Sequence, residues 1–441
     1  MNAVIYNGLR TIQHRGQESA GIAVFSDRLA VKRGSGLVHD AVSAEDLAGL
    51  AGNVGIGHVR YSTLGGQAKE CQQPMTVRAK FGDMALAHNG EIVNSQELRE
   101  SLMAGGWGFV TDSDSEVILR LLSVKMASAR DVVGGISQTM KELVGSYSLA
   151  LMVGPRTFAI RDPLAIRPLC IGRIDGTYCA ASESVVFDTL GGEFERDVRP
   201  GEIIELTEKG FVSHHLPDDG KRAHCMFEWI YFARPDSYVE GRLVYDVRRK
   251  VGMRLAAEAP AEADFVVPIP DSGRAHAIGY SETSGIPYAE GLIKNRYVQR
   301  TFIMPHQADR ESNIRLKLNP LKPVIEGKRI ILVDDSIVRG TTMRQIVGMV
   351  RRSGAKEVHL RIGCPPIVSP CFLGIDIKNR EEFVTHNRDI EAIRRFLGAD
   401  TLAYASLDTL VESIGRGPGE LCLGCLTGKY PVPVAGKVES R

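Results

Sequence analysis

The chain has 441 residues, which is long for one domain and predicts two domains of about 200 residues each. Its 54 basic and 53 acidic residues leave a formal net charge of +1, so charge gives no reason to expect nucleic acid or an anionic membrane as a partner. No stretch approaches the roughly 18 consecutive apolar residues of a membrane-spanning helix. The first residues also lack the pattern of a secretory signal, and we expect a cytoplasmic protein.

The first half of the chain predicts strands joined by tight turns, because short alternating runs are bounded by Gly, Asn, Asp or Pro. Apolar residues at helical spacing predict helices between some of these runs. Grouped strands with helix pairs favour a layered α+β domain over a regular βαβ alternation. The predicted strands are Gly21–Phe25, Val54–His58, Met84–His88 and Tyr147–Val153, and the predicted helices are Ser95–Met103, Ser115–Ala127 and Ile136–Leu143.

A polar segment, Leu216–Arg222, is the predicted linker and divides the chain into domains 1–219 and 220–441. Beyond it the pattern changes to buried strands that alternate with longer helices. This alternation indicates an α/β domain with a parallel sheet and crossover helices. Strands are predicted at Phe265–Pro268, Ile330–Val333 and Glu357–Cys364, and a helix at Thr342–Ser353.

The strongest local signal is an apolar strand that runs into Asp334 and Asp335 and then into a turn that opens a helix. Backbone N–H groups at a helix N-terminus bind phosphate, and hydroxyl groups in the turn add donors. The two carboxylates repel phosphate and suit ribose hydroxyls or the Mg²⁺ of a pyrophosphate. A generic strand–turn–helix with two surface acids is the weaker interpretation. The residues of the turn are Ser336, Arg339, Gly340, Thr341 and Thr342.

This stretch resembles the donor-binding motif of type I phosphoribosyltransferases. A second strand, which ends in the turn Asp271-Ser272-Gly273, matches the loop that holds pyrophosphate in that family. The resemblance implies phosphoribosyl pyrophosphate as ligand, with Mg²⁺ bound by Ser272, Asp334 and Asp335. A third segment, Gly291–Phe302 continuing to Lys317, carries basic residues beside aromatics and is predicted to be a mobile lid over the pyrophosphate. A solvated surface connection is the alternative for this segment.

Three motifs in the first half are interpreted as catalytic loops: Gln13-His-Arg-Gly-Gln-Glu18, His58-Val-Arg-Tyr-Ser-Thr63 and His88-Asn-Gly-Glu91. Together with Asp112-Ser-Asp-Ser-Glu116, their order resembles the glutaminase domain of class II glutamine amidotransferases. That resemblance implies the αββα sandwich of the N-terminal-nucleophile hydrolases. With the transferase half, the chain resembles the glutamine phosphoribosylpyrophosphate amidotransferases over almost its whole length.

The resemblance implies a role for four residues of the first half. Arg60 would bind the α-carboxylate of glutamine, and Asp114 its α-amino group. The side chain of Asn89 and the backbone N–H of Gly90 would form the oxyanion hole. These roles suit the chemistry, because an arginine fork matches a carboxylate and neutral N–H donors match a developing oxyanion.

The family's nucleophile, a cysteine at the first residue of the mature enzyme, has no match in the chain. The family pattern places it roughly two dozen residues before the Gln-His-Arg-Gly motif, whereas 12 residues precede Gln13 and none is cysteine. Cys71 matches no nucleophile context. We therefore expect synthesis from free ammonia and no glutamine hydrolysis, because the true start lies upstream or because the activity was lost.

Four of the eight cysteines match the ligands of the family's iron–sulfur branch: Cys225, Cys371, Cys422 and Cys425. Four thiolates are the usual complement of a 4Fe-4S cluster, and zinc in a Cys₄ site is the main alternative. A structural or oxygen-sensing role is favoured, since the reaction contains no redox step. The other cysteines are interpreted as buried structural thiols: Cys71, Cys170, Cys179 and Cys364.

The resemblance implies an amidophosphoribosyltransferase reaction, the first step of purine synthesis, with glutamine or ammonia as the nitrogen source. It also implies feedback by purine nucleotides and a homo-oligomer, a dimer or tetramer. Two alternatives from other classes remain. One is a phosphoribosyltransferase that uses a nucleobase instead of glutamine, and the other is a regulatory, non-catalytic relative.

Overall fold

The computed structural model describes residues 1–61, 69–295 and 316–434. In these residues a layered N-terminal half is followed by a C-terminal half built on a parallel sheet. None of the helices in the described ranges combines the length and apolar character that a membrane crossing requires.

Two antiparallel sheets stack face to face in the N-terminal half. The strands are β1 (Ser19–Phe25), β2 (Leu29–Ser35), β3 (Val54–Arg60), β4 (Met75–Ala79), β5 (Gly82–Ile92), β6 (Gly145–Val153), β7 (Arg156–Arg161), β8 (Cys170–Ile174), β9 (Thr177–Ala181), β10 (Glu193–Asp197), β11 (Glu202–Thr207) and β12 (Gly210–His215). One sheet has the order β2-β1-β3 and the other β12-β11-β7-β6-β5-β4, with β10-β8-β9 as a smaller third sheet. Side chains alternate between the two faces of a strand. Ala23 and Ile56 of the first sheet therefore meet Ala85, Ala87 and Met152 of the second.

Helices cover the outer faces of these two sheets. The helices of this half are α1 (Asn2–Thr11), α2 (Val38–Ala41), α3 (Ala44–Gly49), α4 (Ser95–Ala104), α5 (Asp114–Ser128), α6 (Val132–Glu142) and α7 (Val185–Thr189). The alternate face of β5, with Met84 and Leu86, shares a core with α5 and α6. On the opposite side, Gly57 of β3 leaves room for Ile5 and Leu9 of α1. The result is the predicted αββα sandwich.

The C-terminal half contains the predicted parallel sheet, in the order β16-β19-β20-β21. Its strands are β13 (His224–Cys225), β14 (Tyr238–Val239), β15 (Arg242–Leu243), β16 (Phe265–Pro268), β17 (Leu292–Lys294), β18 (Leu318–Pro320), β19 (Arg329–Asp334), β20 (Glu357–Ile362), β21 (Thr401–Tyr404) and β22 (Leu421–Cys422). Its helices are α8 (Val244–Glu258), α9 (Arg274–Ser284), α10 (Lys322–Ile325), α11 (Thr341–Arg352), α12 (Ile390–Leu397), α13 (Leu407–Ile414) and α14 (Gly424–Thr427). Ile331 and Val333 of β19 face the core that contains α8 and α9, and Ile330 and Leu332 face the core that contains α11 and α12. The sheet is therefore covered on both faces, as expected of parallel strands.

Most predicted elements are present with small shifts of their ends. The strand predicted at Glu357–Cys364 ends at Ile362, although the amides of Gly363 and Cys364 still donate to the carbonyls of Asp334, the last residue of β19, and Asp335. The predicted linker, Leu216–Arg222, contains neither helix nor strand. Of the predicted lid, residues 296–315 lie outside the described residues. Its described flanks, β17 and β18, pair as an antiparallel ribbon.

A buried ion cluster joins the two halves. Arg15 donates to Glu183 of its own half over 2.7 Å and to both carboxylate oxygens of Glu228, in the other half, over 2.8 and 2.9 Å. Arg167 of the first half also reaches Glu228, over 3.0 Å. Burial alone would raise the pKa of Glu228, but the two guanidinium groups hold that pKa below its ordinary value. Glu228 is therefore a charged, buried carboxylate of the C-terminal half that is paired with two arginines of the N-terminal half.

A loop around Gly374 makes the second junction between the halves. The hydroxyl of Ser146 donates to the carbonyl of Leu373 over 2.8 Å, and Lys378 pairs with the fully buried Glu91. A Cβ atom on Gly374 would lie 2.9 Å from the Cα of Gly90. The backbone at Gly90 is thus packed directly against the other half.

We expect Glu228→Ala to lower the free energy of unfolding by about 3–5 kcal/mol, because it leaves the buried guanidinium of Arg167 without a carboxylate and that of Arg15 with Glu183 alone. Glu193→Ala is the matched control, since the Glu193–Arg173 pair is largely exposed and such pairs contribute about 1 kcal/mol or less. Denaturant titration of both variants measures the difference. Equal losses in the two variants would contradict the role of the cluster.

Candidate active site

One cavity of about 1510 Å³ lies between the two halves and is lined from both. The structure brings all the residues predicted for the glutamine and phosphoribosyl sites to its wall. They are Arg60, Asn89, Gly90, Asp114, Ser272, Asp334, Asp335, Ser336, Arg339, Gly340, Thr341 and Thr342. Ser62 and Thr63 of the predicted His58–Thr63 motif lie outside the described residues.

One end of the cavity has an arginine and a carboxylate that suit a zwitterion. Arg60 ends β3 and is 5% exposed, with the carboxylate of Glu18 at 3.4 Å. Asp114 begins α5, is 3% exposed and accepts a hydrogen bond from the amide of Ile92 over 3.2 Å. A guanidinium fork and a fixed carboxylate match the carboxylate and ammonium of an α-amino acid.

Asn89 and Gly90 lie on β5 beside that end of the cavity. Gly90 has a φ of +149°, and a Cβ atom there would lie 2.1 Å from the carbonyl oxygen of Ser146, so only glycine fits. The Nδ2 of Asn89 is buried and has no hydrogen-bond partner among the described residues. A buried donor without a partner is costly, and a ligand carbonyl oxygen could satisfy it.

Two of the motif histidines, His58 and His88, line this end of the cavity. Burial, and then the charges of His88 and Arg60, lowers the pKa of His58 to about 3, so its imidazole is neutral at physiological pH. The Nδ1 of His88 is hydrogen-bonded to the hydroxyl of Ser115 at 3.0 Å. Cys71 is 1% exposed and does not line the cavity, and burial raises the pKa of its thiol.

The other end of the cavity contains the predicted phosphate turn. Asp334 ends β19, and Gly340 precedes α11 with a φ of +76°. Side-chain hydroxyls of Ser336, at 2.6 Å, and of Ser272 donate to the carboxylate of Asp335. Burial and the neighbouring carboxylate of Asp335 hold the pKa of Asp334 well above its ordinary value. A bound cation would favour the charged form of both groups.

Ser272 is held beside these carboxylates by a tight loop. The amide of Ile269 donates to the carbonyl of Val333 over 2.9 Å, and the amide of Gly273 to the carbonyl of Ile269 over 3.0 Å. A Cβ atom on Gly273 would lie 2.4 Å from the same Val333 oxygen. The loop therefore packs on the end of β19, and its serine joins two carboxylates to make a set of hard oxygen ligands that fits Mg²⁺.

Basic side chains surround the donor end of the cavity. Lys294, at the start of the predicted lid, pairs with Asp271 at 2.7 Å, and Lys317 at the other flank also lines the cavity. Arg339 in the phosphate turn pairs with Glu382. These cations are placed to meet an anionic ligand.

The four matched cysteines converge on a second, small cavity of about 20 Å³. Cys225 and Cys422 are neighbours in the parallel pair β13–β22. The amides of Leu373 and Ile375 donate to the sulfur of Cys371 over 3.3 and 3.4 Å, and such bonds favour a thiolate. In the described ranges, no three His, Cys, Asp or Glu side chains are placed to hold a single metal ion. The donor set, four sulfurs around one cavity, nonetheless fits a larger sulfur-bridged cluster.

Of the four cysteines predicted to be structural, Cys71, Cys170 and Cys364 are buried and Cys179 is half-buried.

Local sequence patterns did not predict the ion cluster that joins the two halves or the carboxylate of Asp376 on the cavity wall. The cluster consists of Arg15 from the predicted Gln13–Glu18 loop, Arg167, Glu183 and Glu228. One signal was available: Glu228 is a charged residue inside the aromatic run Phe227-Glu-Trp-Ile-Tyr-Phe232. A carboxylate in such a run is buried only when paired, but nothing local identifies its partner.

Two family models match the chain, one in each half. Residues 58–189 match the glutamine amidotransferase domain, and residues 240–364 match the phosphoribosyl transferase domain. The chain is 51% identical to the amidophosphoribosyltransferase of Methanothermobacter thermautotrophicus, over 99% of this chain and 92% of the relative. It is 43% identical to that of Bacillus subtilis, over 98% and 91%.

Two solved structures are similar over nearly the whole chain. One is the glutamine phosphoribosylpyrophosphate amidotransferase of B. subtilis in complex with ADP and GMP, with a TM-score of 0.92, 42% identity and coverage of 99% of this chain and 96% of the other. The second is described as the allosteric regulatory enzyme of purine biosynthesis, with a TM-score of 0.93, 42% identity and coverage of 99% and 95%.

We expect Gly90→Ala to lower the free energy of unfolding by roughly 2–4 kcal/mol more than Gly154→Ala. Both glycines have positive φ, but a Cβ atom on Gly154 meets nothing within 4 Å, whereas one on Gly90 meets the Ser146 carbonyl. Denaturant titration of the two variants gives the comparison. Equal destabilisation would mean that the close packing at Gly90 is not a constraint.

Proposed function

Since the chain belongs to the amidophosphoribosyltransferase family, we propose that the residues along its cavity carry out that family's reaction. The reaction is the first step of purine synthesis and converts phosphoribosyl pyrophosphate, glutamine (or ammonia) and water to phosphoribosylamine, glutamate and pyrophosphate. One observation carries the assignment of residues: side chains suited to an amino acid and side chains suited to a phosphorylated ribose line one cavity of about 1510 Å³.

At the donor end, the amides and hydroxyls of Thr341 and Thr342 bind the 5-phosphate at the start of α11. Asp334 and Asp335 accept hydrogen bonds from the ribose hydroxyls. Mg²⁺, held with the help of Ser272 and the two carboxylates, would neutralise the pyrophosphate leaving group. The nitrogen lone pair forms a bond to the anomeric carbon while the bond to the pyrophosphate oxygen breaks. The bonding pair leaves with pyrophosphate, and the nitrogen loses a proton.

At the glutamine end, Arg60 binds the α-carboxylate and Asp114 the α-amino group. This leaves the side-chain amide beside Asn89 and Gly90. The free Nδ2–H of Asn89 and the N–H of Gly90 are placed to donate hydrogen bonds to the amide oxygen. Ammonia supplied directly in solution reaches the same cavity and is the nitrogen source that we expect this chain to use.

We propose that Cys225, Cys371, Cys422 and Cys425 hold a 4Fe-4S cluster. Their common cavity and the two amide donors at Cys371 support this assignment. Zinc is the alternative occupant, but it is the less favoured one, because no three such side chains in the described ranges are placed to hold a single metal ion. The four ligands come from the first segment of the C-terminal half, from the loop that contacts Gly90 and from the tail. A cluster there would tie these three segments together, and its role would be structural or oxygen-sensing.

Purine nucleotides are the proposed regulators, because the similar B. subtilis structure is in complex with ADP and GMP. A homo-oligomer, dimer or tetramer, and a cytoplasmic location complete the proposal.

The double variant Asp334→Asn with Asp335→Asn is expected to lose at least 100-fold in pyrophosphate release with ammonium as nitrogen source, while remaining folded. The asparagine side chains of this variant bind Mg²⁺ less well than carboxylates do, and they are weaker acceptors for the ribose hydroxyls. Removing the mutual repulsion of two buried carboxylates does not create a cavity.

The matched control is Asp218→Asn with Asp219→Asn, an adjacent pair that is exposed and does not line the cavity. This control should release pyrophosphate at the rate of the unmodified protein. Normal turnover in the Asp334/Asp335 variant would remove these residues from the donor site.

Protein purified without oxygen is expected to be brown and to contain iron and labile sulfide near four of each per chain. Cys225→Ser should lower both contents and the unfolding temperature, since a group that binds the native state alone stabilises it. Cys179→Ser, which changes a half-buried thiol elsewhere, should leave both contents unchanged. Colourless protein with stoichiometric zinc would reject the cluster.

A further inference from the structure

Arg167 is a buried arginine that contacts the glutamine end of the cavity, and the reaction described above gives it no role. Its side chain is 1% exposed and lines the cavity wall. Its Nε donates to the Oδ1 of Asn89 over 3.3 Å, and its Nη2 lies 3.0 Å from Glu228. Its Nη1 lies 4.0 Å from the sulfur of Cys225, and its guanidinium carbon lies 5.2 Å from the centre of the Phe232 ring.

The hydrogen-bonding chemistry of the two side chains determines how the Asn89 amide is oriented. A guanidinium group has donors only, so the atom of Asn89 that faces Arg167 must be the carbonyl oxygen Oδ1. The amide is planar, which turns Nδ2 away from Arg167. Nδ2 is the buried atom that has no partner among the described residues. Arg167 therefore selects the orientation in which the donor of Asn89 is left for a ligand.

The opposite orientation would harm the site. If the amide turned over, its oxygen would face the carbonyl oxygen of the bound glutamine, and two acceptors would oppose each other. An asparagine with no neighbour to distinguish its two ends can adopt either orientation. A side chain that only donates removes this freedom before substrate binds.

We propose that Arg167 is a positioning residue of the oxyanion hole and that it holds the Asn89 amide with its N–H groups toward the substrate carbonyl. This inference rests on the proposed function, in which Asn89 binds that carbonyl. Glu228 in turn fixes Arg167 through their ion pair. The C-terminal half thus contributes to the geometry of the glutamine end without contacting glutamine.

The test uses two ligands that differ by one carbonyl oxygen and require no turnover. 2-Amino-5-oxohexanoate retains the α-groups and side-chain carbonyl of glutamine with a methyl in place of the amide nitrogen, and norleucine lacks the carbonyl oxygen. Both engage Arg60 and Asp114, but only the ketone engages Asn89. Titration calorimetry of the full chain gives the ratio of the two affinities.

We expect the unmodified protein to bind the ketone about tenfold more tightly, and Arg167→Met to lower that preference about fivefold, the effect of about one hydrogen bond. Affinity for norleucine should stay within about twofold. Asn89→Ala should lower the preference to the same extent. Arg167→Met added to Asn89→Ala should change it no further, because the two residues act through one contact.

Arg167→Lys is measured beside Arg167→Met, because the methionine variant leaves Glu228 short of a partner. Lysine keeps the charge, but its donors are all on one nitrogen atom. It therefore cannot reach Glu228 and Asn89 together as the separated nitrogens of the arginine side chain do. The preference for the ketone should therefore also fall in this variant.

The outcomes separate this inference from the proposed function. If both Arg167 variants weaken the two ligands equally, or leave the ketone preference intact, Arg167 is only structural and the inference is overturned. If Asn89→Ala leaves the preference intact, the role proposed for Asn89 fails, and the role of Arg167 fails with it.

Discussion

The buried carboxylate of Glu228 constrains the whole molecule, because it belongs to one half and its counter-charges belong to the other. Arg15 and Arg167 enclose it over distances of 2.8 to 3.0 Å. Separating the halves would break the ion pairs of Glu228 with both arginines and leave Arg15 only Glu183 of its own half. Breaking a buried pair costs far more than breaking an exposed one. The relative position of the halves, and hence the shape of the cavity between them, depends on this cluster.

The glutamine end of the cavity is connected to that cluster and to the adjoining loop, and the donor end is built on strand β19. At the glutamine end, Asn89 contacts Arg167, and Gly90 packs against Gly374 of the other half. At the donor end, Asp335 accepts from Ser272, whose loop packs on the end of β19. The two ends belong to one continuous cavity. The proposed cysteine site adjoins the same loop, since Cys371 precedes Gly374 by three residues.

Local patterns in the sequence predicted the elements and the donor site. Alternation identified β5 and β6, and the succession of strand, two acids, turn and helix identified β19 and α11 and predicted a phosphate site between them. Each signal lies within about a dozen neighbouring residues. The convergence of the motifs on one cavity was expected only through the resemblance to a family. The ion cluster could not be predicted, since Arg15 is separated from Glu183 and Glu228 by 168 and 213 residues and no periodicity links them. The expectation that the chain uses ammonia and not glutamine stays a prediction.

The most direct test of the central claim, that this cavity joins nitrogen to the anomeric carbon of the donor, is to identify the bond that forms. The protein is incubated with phosphoribosyl pyrophosphate, Mg²⁺ and ¹⁵N-labelled ammonium, and pyrophosphate and the labelled product are followed together by NMR. We predict one pyrophosphate for each ¹⁵N bonded to the anomeric carbon, and no pyrophosphate when a nitrogen source is omitted. Pyrophosphate release that requires a nucleobase, or that leaves the label entirely in free ammonium, would contradict the account.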